Sequence, residues 1–166
     1  MRYYSTNNKT LTVPLEQAVI KGLAPDGGLL LPEHIPALPA AFVRNMGSMS
    51  LHEISYAVAN YALQGDIDAA VLKNAVADTL SFDLPLVHLG GNKYVLELFH
   101  GPTMSFKDIG TRFLARLLDH YNGRHRRNIS VIVATSGNSG GAIAHSFSDI
   151  PEVQVYILYP RGELDD

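Results

Sequence analysis

Lys107 lies where a lysine can do covalent chemistry. It follows a turn rich in small and polar residues, 100–105 (HGPTMS), and falls in the first turn of a helix expected over residues 106–121. A cation there meets the positive end of the helix dipole, so the amine is easier to deprotonate than that of an ordinary lysine. A neutral amine can form an imine with an aldehyde, which makes Lys107 a candidate catalytic residue. The alternative is an exposed helix lysine whose ammonium reaches water.

A second candidate site is the run 136–141 (SGNSGG), between a β-rich strand at 130–134 and a small-residue helix at 141–148. Glycines let several backbone N–H groups point at one spot, and the helix dipole adds to the attraction for a carboxylate or a phosphate. Ser136, Asn138 and Ser139 supply side-chain donors, and Gly137 lies among them. The alternative is a plain strand-to-helix turn. The run has neither the lysine of a nucleotide-triphosphate loop nor the pattern G-x-G-x-x-G.

The histidines and the basic run 124–127 give weaker indications of function. His100 is an acid–base candidate as much as a structural residue, whereas His145 is interpreted as a packing residue. The seven histidines are scattered, and no metal site is expected. The basic run 124–127 (RHRR) is interpreted as a solvated helix end, because the net charge is −3 and no aromatic residues are interleaved.

Composition indicates a soluble globular protein of 166 residues, with 46% apolar and 17% charged residues. The acidic balance gives no drive toward nucleic acid or an anionic membrane. No cysteine is present, which excludes disulfides and thiolate chemistry and fits a cytoplasmic protein. The N-terminus does not resemble a signal peptide, and no apolar run approaches the roughly 20 residues needed to span a bilayer.

The elements predict an α/β protein with a small N-terminal α+β region, residues 1–92, followed by the start of a parallel-sheet domain, residues 93–166. The first region has a helix at 15–22, a short buried strand at 29–31, an irregular proline-containing connection, a helix from the capping box at Ser50 to about 62, and a helix at 66–80. The second has a strand at 94–98, the helix at 106–121 capped by Ser105, and a βαβ unit with parallel strands at 130–134 and 153–158. This pattern has barely begun when the chain ends, so we expect the front part of a larger protein, with exposed apolar surface and strand edges that favour self-association.

Four segments carry a resemblance to a known family: 100–108 (HGPTMSFKD), 134–140 (ATSGNSG), and the N-terminal segments 1–6 (MRYYST) and 22–32 (GLAPDGGLLLP). They resemble the pyridoxal 5′-phosphate (PLP) enzymes of fold type II, and specifically the threonine synthase family. The lysine segment and the N-terminal segments are specific to that family. The 134–140 segment alone indicates only the wider fold.

The resemblance implies a role for each candidate residue. Lys107 would hold PLP as a Schiff base and move protons at the substrate carbons, and Asn138 would lie near the 3′-oxygen of the pyridine ring. Ser136 and Ser139, with the loop amides including that of Gly137, would take the substrate carboxylate. The reaction implied is conversion of O-phospho-L-homoserine and water to L-threonine and phosphate.

The family's chain is much longer than this one. Its cradle for the cofactor phosphate, its partner for the pyridine nitrogen and much of its substrate-phosphate site lie beyond Asp166, so residues 1–166 alone are expected to be inactive and to bind PLP weakly or not at all. Two other functions stay open: another fold type II enzyme that eliminates or replaces at the β-carbon, and a non-catalytic anion-binding module.

Overall fold

The computed structural model describes residues 1–162, which form two compact units. The first is Met1–Ala77, and the second begins at Asp78. The sequence places the domain boundary later, after residue 92. The domain boundary after residue 92 stays a prediction, because the two compact units are not necessarily domains.

The first unit contains a three-stranded antiparallel sheet and a set of helices. Its elements are β1 (Arg2–Ser5), β2 (Thr12–Pro14), α1 (Leu15–Lys21), β3 (Leu30–Pro32), α2 (Ala40–Asn45) with a 3₁₀ turn at Met46–Ser48, α3 (Leu51–Leu63) and α4 (Ala69–Thr79), whose last two residues belong to the second unit. The strand order is β2-β1-β3. The capping box is present: the Ser50 hydroxyl accepts from the Glu53 N–H, and the Glu53 carboxylate accepts from the Ser50 N–H. These Ser50 donors hold the pKa of Glu53 below its ordinary value.

The strand expected at 29–31 is present as β3, but the expectation that it is buried was wrong. It pairs only with β1 and is therefore an edge strand, with Leu29 59% exposed and Leu31 42% exposed. The turn before it is held by Asp26, whose carboxylate accepts from the Ser5 hydroxyl at 2.7 Å and the Gly28 N–H at 3.1 Å. These two donors, Ser5 first, hold the pKa of Asp26 below its ordinary value.

The second unit contains a hairpin, two long helices and a parallel strand pair. Its elements are β4 (Leu86–Gly90), β5 (Lys93–Leu96), α5 (Lys107–Asn122), β6 (Ile129–Ala134), α6 (Asn138–Phe147) and β7 (Val153–Leu158). The expected strand near 94–98 is β5, and it pairs antiparallel with β4. The prediction of parallel strands is confirmed, because β6 and β7 pair in parallel from Ile129↔Val153 to Ala134↔Leu158.

The two faces of the β6–β7 pair differ in exposure. Burial alternates along both strands, so that every second residue on each is exposed. The exposed set includes Ile132 (66%), Tyr156 (49%) and Leu158 (58%), three large apolar side chains on one face. The prediction of exposed apolar surface is therefore confirmed for this strand pair, whereas self-association stays a prediction.

Candidate active site

The turn that leads into Lys107 is held by a buried carboxylate. Asp108 is completely buried, and its Oδ2 accepts from the backbone N–H of Thr103 at 3.0 Å. Its Oδ1 accepts from the Thr103 hydroxyl at 2.6 Å, and the N–H of Ser105 points at Oδ2 from 3.5 Å. Met104, between these donors, has a φ of 54° and is 78% exposed. The carboxylate therefore ties the first turn of α5 back to the preceding loop.

Gly101 leaves the space that this carboxylate occupies. A Cβ at position 101 would lie 2.5 Å from Oδ2 and 2.9 Å from Cβ of Asp108, and 2.9 Å from Cζ of Phe82. Real Cβ atoms essentially never approach other atoms this closely. The glycine of the HGPT run is therefore needed for close approach, which the sequence could indicate only as a turn residue.

Lys107 is the first residue of α5, one position later than the helix start expected from sequence. Ser105 still contributes the expected capping contact, since its hydroxyl accepts the Lys107 N–H at 3.3 Å. The side chain is partly buried, and Nζ lies 4.6 Å from the centre of the Phe106 ring. An open cleft of about 440 Å³ adjoins it, lined also by Leu98, Phe106, Ile109, Gly110 and Thr111.

The amine of Lys107 has no ion-pair partner in the part of the chain that the structure describes. Among residues 1–162, no carboxylate lies close enough to Nζ for a salt bridge, although Asp108 is the next residue in the chain. An ion pair would favour the protonated amine, which cannot attack an aldehyde. The structure thus separates the lysine from the carboxylate that its sequence places beside it.

The 136–141 run adopts a tighter structure than the sequence suggested. Helix α6 begins at Asn138 rather than at Gly141, so Asn138 and Ser139 lie in its first turn. Thr135 Oγ1 accepts the Gly137 N–H at 3.2 Å, and no side chain caps the helix. A Cβ at Gly140 would lie 2.8 Å from Cγ2 of Thr135, so a glycine is needed here for α6 to pack closely.

The predicted donors of this run are open to a ligand. Ser136, Gly137 and Asn138 are exposed, and Ser139 is partly buried. Among the hydrogen bonds described for residues 1–162, the side chains of Ser136, Asn138 and Ser139 have no partner. Backbone N–H groups in the first turn of a helix have no intrahelical acceptor, so they remain available to an anion as well.

Helices α5 and α6 meet at a polar contact that lies one turn beyond Lys107 and one to two turns beyond Asn138. Thr111 Oγ1 lies 2.9 Å from the carbonyl oxygen of Lys107 and 2.7 Å from Oγ of Ser146. It also lies 3.4 Å from the carbonyl oxygen of Ala142, which is one turn after Asn138. Ser146 is 2% exposed and Thr111 is half-buried, so this contact is partly shielded from water. The structure therefore brings the helix that begins with Lys107 and the helix that begins with Asn138 into direct contact.

The two histidines singled out by sequence differ. Nε2 of His100 lies 2.6 Å from Oε2 of Glu97, and the ring stacks on Phe99 at 4.7 Å. His145 is exposed, so its interpretation as a packing residue was wrong: it lies on the outer side of α6. The basic run 124–127 is exposed after the end of α5, as its interpretation as a solvated helix end requires.

Sequence reasoning missed three residues around Lys107: Thr103, Thr111 and the full role of Asp108. The spacing Ser105-x-x-Asp108 is that of a capping box with Asp in the last place, and it could have indicated the contact between Asp108 and the turn. Nothing in the sequence indicated that Thr111 would meet Ser146. A second cleft, of about 650 Å³ in the first unit between α3 and α4, contains none of the candidate residues.

Residues 1–162 contain neither a metal site nor a membrane-spanning helix. No group of three or more His, Asp or Glu side chains is arranged to hold a metal ion. No helix there has both the length and the apolar character needed to cross a membrane.

Comparison with known proteins links this chain to threonine synthases. The family model described as the N terminus of threonine synthase matches residues 2–80. The chain is 37% identical to threonine synthase of Haemophilus influenzae and 34% identical to that of Escherichia coli, with 99% of this chain aligned in each case. Over almost its whole length, this chain is similar to the N-terminal part of threonine synthases.

Solved threonine synthases share the fold as well. A crystal structure of the Escherichia coli enzyme superposes with a TM-score of 0.91 at 34% identity, covering 98% of this chain and 37% of that one. A PLP-bound threonine synthase from Brucella melitensis gives a TM-score of 0.89 at 35% identity, covering 99% and 37%. The fold is therefore that of the N-terminal part of a threonine synthase, and the chain spans about 38% of the length of the curated relatives above.

Proposed function

We propose that the full-length protein, meaning the whole product of the gene that encodes these residues, converts O-phospho-L-homoserine and water to L-threonine and phosphate with PLP on Lys107. One observation carries the proposal: in a chain similar to threonine synthases, an amine that pairs with no carboxylate of residues 1–162 lies at the start of α5, in a helix packed against α6. The substrate is a phosphorylated, charged molecule, which does not cross a bilayer unaided, so we also propose that the protein acts in the cytoplasm.

The residues present fit the cofactor. Lys107 offers a primary amine at the edge of a largely apolar cleft, which suits one face of a planar ring. Asn138 offers an exposed amide without a protein partner among the described residues, and we assign it to the 3′-oxygen of that ring. When bound, PLP supplies an electron sink for negative charge that develops on the substrate carbons.

The protein's own contribution is to bind, orient and move protons. Lys107 would hold the cofactor through a covalent bond from Nζ, and when not so bonded the same Nζ would take and return protons at the substrate carbons. Ser136 and Ser139, with the N–H groups of the loop including that of Gly137, bind the substrate carboxylate. The N-terminus of α6 favours this anion through the helix dipole and its unpaired N–H groups.

Borohydride trapping tests the role of Lys107. The full-length protein is incubated with PLP, reduced with borohydride and digested, and the pyridoxyl adduct is located by mass spectrometry. We expect it on Lys107, and we expect Lys107→Ala to lose it while Lys93→Ala, on exposed β5, keeps it. Adducts spread over Lys9, Lys21, Lys73 and Lys93 would contradict the proposal and favour the anion-binding module.

Substrate choice tests the reaction. We expect phosphate release from O-phospho-L-homoserine, with L-threonine as the second product. Release from a serine-derived or cysteine-derived precursor, with none from phosphohomoserine, would instead indicate another fold type II enzyme. We further propose that a polypeptide of residues 1–166 alone is inactive, because it spans only about 38% of the length of its relatives; turnover by that polypeptide would refute this.

A further inference from the structure

We infer that Asp108 is a positioning residue for Lys107, acting through Thr103, and that the Asp108–Thr103 contact sets how fast and how selectively Lys107 takes up its cofactor. The inference deepens the proposed function of Lys107 and depends on it. Asp108 is buried, unlike the acidic residues that cap α3 and α4.

Starting a helix does not require a buried carboxylate. Asp68 caps α4 through an Oδ1 that accepts the Ala70 N–H at 2.9 Å, and this residue is exposed. Glu53 completes the exposed capping box of α3. Only exposed acids cap these two helices, and both helices form. At α5 the carboxylate is completely buried, which carries a desolvation cost that an ordinary cap avoids.

The hydrogen-bond donors that compensate for the burial of Asp108 all come from the loop before α5. Thr103 supplies its N–H and its hydroxyl, and Ser105 supplies a third, longer contact. A buried carboxylate without a cation needs such donors in good geometry, so the loop must keep the conformation that presents them. The contact therefore fixes residues 103–105 relative to the start of α5, and Lys107 lies between these two anchors.

The direction of the Asp108 side chain matters as much as its contacts. Successive side chains on a helix diverge by about 100°, so a carboxylate turned toward Thr103 is turned away from the neighbouring amine. Gly101 makes that orientation possible, because any Cβ there would collide with Oδ2. Asp108 thus fixes the backbone of Lys107 without pairing with its Nζ. A misplacement of about 1 Å at a reacting group costs on the order of 100-fold in rate.

A graded set of variants in the full-length protein tests the inference. Thr103→Val keeps the backbone N–H contact and the side-chain shape but removes the hydroxyl donor, whereas Thr103→Ser keeps both donors. Asp108→Asn removes the charge at nearly constant size. Asp68→Asn is the matched control, because it weakens a helix cap remote in sequence from Lys107. All measurements are made at a temperature where circular dichroism shows each variant to be folded.

The first measurement is the rate constant of PLP attachment, followed by absorbance and mapped after borohydride reduction. We expect a loss of about 10-fold for Thr103→Val and about 100-fold for Asp108→Asn, with part of the adduct moved to other lysines. Thr103→Ser should restore the wild-type rate. The pH midpoint of the absorbance of the bound cofactor should shift in Thr103→Val and stay at the wild-type value in Asp68→Asn, which a purely structural defect would not produce.

A second measurement needs no cofactor. Competitive acetylation of the cofactor-free protein gives the reactivity of Lys107 relative to Lys93, and we expect this ratio to change at least three-fold in Thr103→Val and not in Asp68→Asn. Wild-type attachment rate, absorbance and acetylation ratio in folded Thr103→Val and Asp108→Asn would overturn the inference. A wild-type protein that forms no adduct on Lys107 would instead overturn the proposed function, while the acetylation ratio would still decide whether Asp108 positions the lysine.

Discussion

Gly101→Ala tests the close packing on which the lysine turn depends. The added Cβ would lie 2.5 Å and 2.9 Å from two atoms of Asp108 and 2.9 Å from Phe82 Cζ, well short of the 3.4 Å at which ordinary contact begins. Asp108 is buried and held by Thr103, so it cannot move away without losing hydrogen bonds. Overpacking of this kind costs about 1–3 kcal/mol.

The unfolded state partly offsets this cost. Gly101 does not have a positive φ, so alanine suits its backbone and should stabilise by about 0.4–1 kcal/mol through lower unfolded-state entropy. We therefore expect Gly101→Ala to lower the free energy of unfolding by about 1–2 kcal/mol. Gly110→Ala is the matched control: Gly110 lies inside α5, nothing lies within 4 Å of its hypothetical Cβ, and the change should stabilise by about 0.5–1 kcal/mol.

Urea unfolding of the two variants and the wild type, followed by far-ultraviolet circular dichroism, measures both changes. Equal slopes across the three proteins are needed for the midpoints to report stability alone. Gly101→Ala as stable as the wild type, or as stable as Gly110→Ala, would refute the inference that Asp108 and Phe82 leave no room at this position.

Three further predictions concern other contacts. In a double-mutant cycle, Thr111→Val and Ser146→Ala should show a coupling energy of about 0.5–1.5 kcal/mol in urea unfolding, and additive effects would show that the hydroxyl contact between α5 and α6 contributes nothing. The pKa of Asp26 is lowered in the folded state, so the contribution of this carboxylate to stability is present above its unfolded pKa and is lost as the pH falls through the folded value. We therefore expect Asp26→Asn to lower the urea midpoint at pH 7 and to differ less from the wild type at pH 3. Equal differences at the two pH values would contradict the role of the Ser5 contact. A polypeptide of residues 1–166 should self-associate in sedimentation experiments, and Ile132→Ser should reduce this, because Ile132 is 66% exposed on the open face of β6 and β7; a monodisperse wild-type monomer would refute it.

Much of the second unit could be predicted from its sequence, because its signals are local. The apolar run of β6, the strand β7 and the intervening small-residue segment predicted a parallel pair, which is confirmed. The start of α6 could not be predicted, because Asn, Ser and Gly favour a loop by propensity. Packing of Gly140 against Thr135 and Ile157 outweighs that propensity and extends the helix to Asn138.

The first unit was harder to predict where strand pairing, rather than local composition, determines the secondary structure. Strands β1 and β2 have only four and three residues, and their register with each other and with β3 defines them as a sheet. In α4, Leu72, Ala75 and Val76 are buried as the helical stripe predicted, but Ala69 and Ala70 are exposed. Small alanines satisfy a helical pattern wherever they fall, so they indicate a buried face poorly.

The family model and the candidate site lie in different parts of this chain. The family model ends at residue 80, before Lys107 and before the 136–141 run. The relatives and the solved threonine synthases, by contrast, cover 98–99% of the chain and so include both candidate groups. Likeness to a family alone does not say what each residue does, so the roles of Lys107 and Asn138 depend on the local chemistry.

The local chemistry at Lys107 depends on where the Asp108 carboxylate points. Neighbouring side chains on a helix do not face each other, and an ion pair with any carboxylate would favour the protonated amine, which cannot attack an aldehyde. Here the Asp108 carboxylate accepts hydrogen bonds from Thr103 and is enclosed beside Gly101. A carboxylate in this place stabilises the N-terminus of α5. The amine of Lys107 remains unpaired among the described residues. The -Lys-Asp- pair therefore separates two tasks: Asp108 fixes the position of the helix start, and Lys107 keeps an amine free for covalent chemistry.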